Sequence, residues 1–125
     1  MHITTLGIDV AKNVFQLHWL DARGHAVLSR RVKRGQLVET VASLPPCVIG
    51  MEACGSAHHW GRAFEQLGHT VKLMSPQYVK PYVKTNKHDA RDAEAICEAV
   101  SRPTMRFVSI KTVEQADLQA LHRTR

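Results

Sequence analysis

Cysteine, acidic residues and long apolar runs are all scarce in this chain of 125 residues. Cys47, Cys54 and Cys97 are odd in number, widely spaced and form no C-x-x-C pair. That argues against a disulfide framework and a zinc knuckle, and for reduced, mostly buried thiols. The longest apolar stretch, Cys47-Val48-Ile49-Gly50-Met51, falls far short of the ~20 residues that cross a bilayer. The opening Met1-His2-Ile3-Thr4 lacks the charged-then-apolar pattern of a secretion signal, so the protein is expected to stay inside the cell. Acids number 11 against 17 Lys and Arg, a net charge of +6 that favours a polyanionic partner. With 44% hydrophobic and 22% charged residues the composition is that of one ordinary folded domain, not of a disordered or low-complexity chain.

Residues 3 to 10, 13 to 20 and 25 to 33 are rich in Ile, Val, Leu and aromatics, partly alternate and hold no proline. They read as three strands of an antiparallel meander, with Asp21-Ala22-Arg23-Gly24 as a type I turn. Leu37, Val38, Val41 and Leu44 then repeat as a helical stripe over 35 to 44, stopped by Pro45-Pro46. Cys47 to Met51 is apolar on both faces and follows a crossover, as expected of a central, parallel strand covered by helices on both sides. Ser56 is placed to cap a helix carrying Trp60, Ala63, Phe64 and Leu67, with Gly68 as its left-handed C-terminal cap. Thr70 to Met74 makes a fifth strand, Ser75 to His88 a basic loop, and Asp89 to Ser101 a third helix. Thr112 with Gln115 forms a capping box for a helix still running at Arg125, so the chain is expected to be a fragment of a longer protein. Three antiparallel strands followed by helix, strand, helix, strand, helix is the element order of the ribonuclease H-like fold, which alone says little about function.

Two strands end alike. Leu6-Gly7-Ile8-Asp9 and Ile49-Gly50-Met51-Glu52 each run apolar, glycine, apolar, acid. Paired in parallel and in register, they project Asp9 and Glu52 side by side, and the glycines are expected to keep that face open for a metal or phosphate. In the third helix Ala93, Ile96, Cys97 and Val100 define the buried stripe. At 100° per residue Asp89 falls within it, Asp92 on its flank, and Arg91, Glu94 and Glu98 point outward. Four converging carboxylates without Cys or His suit Mg²⁺ or Mn²⁺, and such sites cut or transfer phosphodiesters. Each piece also has a plainer reading: Asp89 and Asp92 as an N-cap and its partner, Asp9 as a turn acid. Glu52, directly after a fully apolar strand, resists one.

Gly7-Ile8-Asp9-Val10-Ala11-Lys12, Met51-Glu52-Ala53-Cys54-Gly55 and Lys84-Thr85-Asn86-Lys87-His88-Asp89-Ala90-Arg91-Asp92-Ala93-Glu94-Ala95-Ile96 resemble the DEDD transposases of bacterial insertion sequences. Asp117-Leu118-Gln119-Ala120-Leu121-His122-Arg123 looks like the start of that family's coiled-coil helix. The resemblance covers nearly the whole chain. It implies an α/β, RuvC-like, ribonuclease H-like domain over 1–105, with a five-stranded mixed sheet flanked by helices. A linker and the start of a long C-terminal helix would follow over 106–125. It assigns the family's four acids, catalytic and metal-binding, to Asp9, Glu52, Asp89 and Asp92, with Mg²⁺ or Mn²⁺ as cofactor. It also implies DNA as substrate, a structured bridge RNA and a homo-oligomer as partners, and a bacterial cytoplasmic setting. The family's C-terminal domain, whose serine attacks DNA, has no part here, so the fragment alone is expected to be inactive.

Tyr78-Val79-Lys80-Pro81-Tyr82-Val83-Lys84 interleaves aromatics with bases and continues into Lys87, His88 and Arg91. With Lys12, the residues Tyr78, Lys80, Tyr82, Lys84, Lys87 and Arg91 form the candidate nucleic-acid surface, tyrosines stacking and cations meeting phosphates. A solvated loop with its tyrosines packed inward is the competing reading. Arg30, Arg31, Lys33 and Arg34 make a second basic cluster, explained equally by phosphate contact or by a charged edge strand. Two other functions fit the element order: a catalytically silent nucleic-acid-binding or dimerisation scaffold, and an ATP-binding sugar-kinase or actin-like half. The loop Val10-Ala11-Lys12 lacks the Gly and Thr that the kinase reading needs.

Overall fold

The structure, a computed structural model, describes residues 3–11, 13–83 and 89–114. Strands β1 (Ile3–Asp9), β2 (Val14–Asp21) and β3 (Ala26–Lys33) form the expected meander. Asp21 closes its turn, its carboxylate accepting the backbone N–H groups of Arg23 and His25. Helix α1 (Arg34–Ala42) crosses to β4 (Val48–Glu52), and α2 (Gly55–Gln66) leads to β5 (Thr70–Met74). The sheet order is β3-β2-β1-β4-β5, with β1, β4 and β5 parallel and the first two pairings antiparallel. Among the described residues no helix is long and apolar enough to cross a membrane.

Strand alternation divides the interior into two cores. Leu6, Ile8, Phe15, Leu17, Ile49 and Met51 point to one face, where Leu37 and Val41 of α1 and Trp60 and Phe64 of α2 meet them. The opposite face is covered by helix α4 (Asp89–Val100), which buries Ala95, Ile96, Ala99 and Val100 with Met74 and Val79. The central strand is thus sandwiched as its two apolar faces require. Val38, expected in the α1 stripe, is exposed instead, because α1 buries only the narrow line of Leu37 and Val41.

Three local expectations are corrected. Cys54, in extended backbone, is the N-cap of α2, and Ser56 lies inside the first turn with its hydroxyl 3.6 Å from the Cys54 thiol. The stretch after β5 is a short helix, α3 (Pro76–Val79), and a 3₁₀ turn (Lys80–Tyr82), because Pro76 and Pro81 each sit where a first helical turn tolerates proline. Glu94 is half-buried beside His18 on β2 rather than outward, since α4 lies in the trough of a twisted sheet and buries more than one stripe. Gly68 does take the left-handed cap, at φ +98.

Beyond Ser101 the chain returns to the sheet. The Val108 N–H donates to the Leu73 carbonyl at 2.8 Å, adding a bridge along the outer edge of β5. Ile110 seats against Gly61 of α2, where an added Cβ would lie 3.1 Å from its side chain. The Lys111 N–H donates to His58 Nδ1 at 3.0 Å, and Arg62 donates to the Lys111 carbonyl. Val113 and Glu114 begin a helical turn, and Gln115 and the coiled-coil resemblance lie outside the described residues.

Candidate active site

The acids come together through register. Gly7 pairs with Gly50 and Ile8 with Met51 across the parallel β1/β4 ladder, so Asp9 and Glu52 follow on adjacent strand ends ~4.8 Å apart. Both glycines face α4, and so do the acids two residues on. Here the sequence reading is corrected: the glycines do not keep this face open. A Cβ on Gly7 would lie 2.6 Å from the Ala93 carbonyl oxygen and 2.8 Å from the Cys97 nitrogen, and one on Gly50 would lie 2.9 Å from Val100. Gly7 instead admits the backbone of α4, and Gly50 the Val100 side chain at that helix's last residue, so α4 lies close on both β1 and β4.

Asp92, in the first turn of α4, is half-buried and shares a cleft with Glu52. That cleft, of about 400 Å³, is lined also by Pro76, Gln77, Lys80 and Val83. Burial first, and the negative charge of Asp92 second, push the Glu52 carboxyl above its ordinary pKa. The two carboxylates thus bring like charge to one cleft. Lys80 supplies positive charge on the same wall.

The remaining candidates divide. Asp89 opens α4, but its side chain and that of Arg91 lie outside the described ones, and so do Lys12, Lys84 and Lys87 altogether. Tyr78 on α3 is exposed, as a stacking residue requires. Tyr82 is partly buried against the α4 core, with the Arg102 guanidinium 5.4 Å over its ring, which favours the inward-packed reading for that residue. Among the described residues no group of three or more His, Cys, Asp or Glu stands ready-made to hold a metal. His58, beside Cys54 and His59, is occupied by the Lys111 N–H. The Cys97 thiol donates to the His18 carbonyl and is pushed up to about 12 by burial, so it is no nucleophile.

Two features escaped the sequence reading. Gln16 and His18 are buried polar residues on the α4 face of β2, signalled only by polar positions alternating with Phe15, Leu17 and Trp19. A cavity of about 450 Å³ between His18, Leu20, Glu94 and Arg102 opens at the far end of α4, away from Glu52 and Asp92.

The chain resembles known proteins in two ways. The RuvC of Thermus thermophilus, solved in complex with a Holliday junction substrate, superposes with a TM-score of 0.63 over 86% of this chain and 100% of that one, at 15% identity. A second RuvC structure from T. thermophilus gives 0.62. These likenesses establish the RuvC-like, ribonuclease H-like fold. In sequence the chain is 55% identical over its whole length to a "Probable family 20 transposase" of Pseudomonas aeruginosa, of which it covers 37%. It is 57% identical to the transposase for insertion sequence element IS1111A of Coxiella burnetii over 98% of this chain and 34% of that one. With the transposase for IS1328 of Yersinia enterocolitica the identity is 50%, over 99% and 37%. It thus spans little more than a third of the length of these relatives. The family profile of the IS110-type DEDD transposases, described as "Transposase", matches residues 6–125, and the chain belongs to that family.

Proposed function

We propose that this chain is the catalytic domain of an insertion-sequence transposase that cuts and transfers DNA strands with divalent metal at Asp9, Glu52, Asp89 and Asp92. The observation that carries the proposal is that two half-buried carboxylates, Glu52 and Asp92, line one cleft, with Asp9 on the adjoining strand end. Carboxylates so arranged favour a cation, and an all-oxygen donor set suits Mg²⁺ or Mn²⁺. Such an ion, when bound, activates the attacking oxygen and stabilises the leaving one. The chain's own residues set the geometry. The β1 and β4 ends fix Asp9 and Glu52 on rigid backbone, the close seat of α4 on Gly7 fixes Asp92, and Lys80 draws a phosphate to the cleft mouth.

In this reading residues 1–105 make the catalytic unit, the stretch 106–111 packs back onto its β5 and α2, and the chain beyond leads into a coiled-coil helix of the longer protein. The nucleic-acid surface comprises Tyr78 and Lys80 with Lys12, Tyr82, Lys84, Lys87 and Arg91. The full protein works in the bacterial cytoplasm as a homo-oligomer with a structured RNA. Membership in a transposase family removes the support for the sugar-kinase alternative. The silent-scaffold alternative is answered by experiment: in the full-length protein Asp9→Asn and Glu52→Gln should each lower strand cleavage at least ~10³-fold with folding unchanged. Activity retained in both would leave only a scaffold.

A further inference from the structure

The acids lie at the end of a row that runs on across the sheet. In the antiparallel pairings Asp9 stands opposite Gln16 and Gln16 opposite Arg31, so Glu52, Asp9, Gln16 and Arg31 occupy one rung of β4, β1, β2 and β3 on the same face. At ~4.8 Å between strands, the Arg31 Cα is ~10 Å from that of Asp9. Lys33 lies two residues on along the same face, ~6.7 Å further towards the strand end where the acids sit. Both are exposed on β3, an outer strand of the sheet, whereas the opposite edge carries the Val108 bridge. From Ala22 to Val38 there is no acidic residue. The basic cluster is also split by the strand's alternation. Arg30 shares its face with buried Val32 and stands opposite Leu17, and Arg34 stacks over Trp60 at 5.4 Å, so both belong to the other side of the sheet.

We propose that Arg31 and Lys33 are positioning residues that hold the backbone of the DNA strand being cut, within about three nucleotides of the scissile phosphate at ~3.4 Å per nucleotide. The two sides of the sheet carry the basic residues in equal number, so what singles out Arg31 and Lys33 is place: they share the face of Asp9, Arg31 on its very rung, whereas Arg30 and Arg34 lie on the side away from the acids. The proposal rests on the metal-site reading above, and its test is separable from it.

The test uses the full-length protein in Ca²⁺ with a labelled duplex bearing the element end and an RNA hairpin of equal charge, by fluorescence anisotropy across a salt series. Arg31→Ala and Lys33→Ala should each weaken DNA binding about 5- to 10-fold and reduce the slope of log K against log salt by about one. Arg31→Lys should keep the slope, and Arg30→Ala should bind within twofold of wild type. In cleavage assays with Mg²⁺, Arg31→Ala should raise KM more than it lowers kcat. An Arg30→Ala loss equal to that of Arg31→Ala, or a loss confined to the RNA, would overturn the proposal, as would unchanged DNA binding in Arg31→Ala. Glu52→Gln separates the two readings: it should fail to cleave, while Arg31→Ala should weaken DNA binding by the same factor in the Glu52→Gln background as in wild type.

Discussion

Gly7 and Gly50 occupy equivalent rungs, yet they should not respond equally to a methyl group. On Gly7 the new Cβ meets the backbone of α4, the Ala93 carbonyl at 2.6 Å and the Cys97 nitrogen at 2.8 Å, and backbone cannot rotate away. On Gly50 its nearest neighbours are atoms of the Val100 side chain, at 2.9 to 3.1 Å. Gly7→Ala should therefore cost about 3 kcal/mol by denaturant unfolding and Gly50→Ala about 1 kcal/mol. Because a displaced α4 carries Asp92 with it, Gly7→Ala should also weaken divalent-ion binding. Equal costs would mean that the helix is not held by this approach. The repeated Gly-x-acid pattern is visible in the sequence, but what fills the space over the glycines is not. An empty face and a seat for a helix leave the same signature in one strand, and only the partner element distinguishes them.

At the scale of elements, the first three strands were legible because they partly alternate and hold no proline, and β4 because it is apolar on both faces. Helix α4 was legible along its buried stripe. The placement of Glu94 was not, since a helical wheel assumes a flat partner and the twisted sheet wraps further round. Least legible was the return of 106–111 to β5 and α2, which rests on a buried histidine and a single bridge rather than on any periodic pattern. Burial first, then the charges of Lys111 and Arg62, lower the His58 pKa from 6.5. Burial likewise lowers that of His18, against an opposing pull from Glu94. Both folded-state values lie below those of the unfolded chain, so the stability from the neutral rings is present above pH 6.5 and is lost as pH falls from there towards the folded values. The melting temperature should decline between pH 7.5 and 5.5. His58→Gln, whose amide oxygen can still accept the Lys111 N–H, should flatten that decline, and an unchanged pH slope would exclude His58 as a source.

For the whole molecule, the two faces of the sheet do different work. The α1/α2 face holds most of the apolar core, whereas the α4 face holds the polar rung that runs from Glu52 to Arg31. Charge follows the same division of labour: few acids, some gathered at one rim, on a chain of net charge +6. That distribution suits a strand of nucleic acid drawn in by the basic surface and cut where the carboxylates meet. The central claim is that carboxylates distant in sequence share a divalent ion. Its most direct measurement is the anomalous diffraction of crystals of the full-length protein soaked in Mn²⁺. A peak bounded by Asp9, Glu52 and Asp92, lost in Glu52→Gln, is the predicted result. No peak there, with DNA cleavage nevertheless intact in the same preparation, would contradict the account.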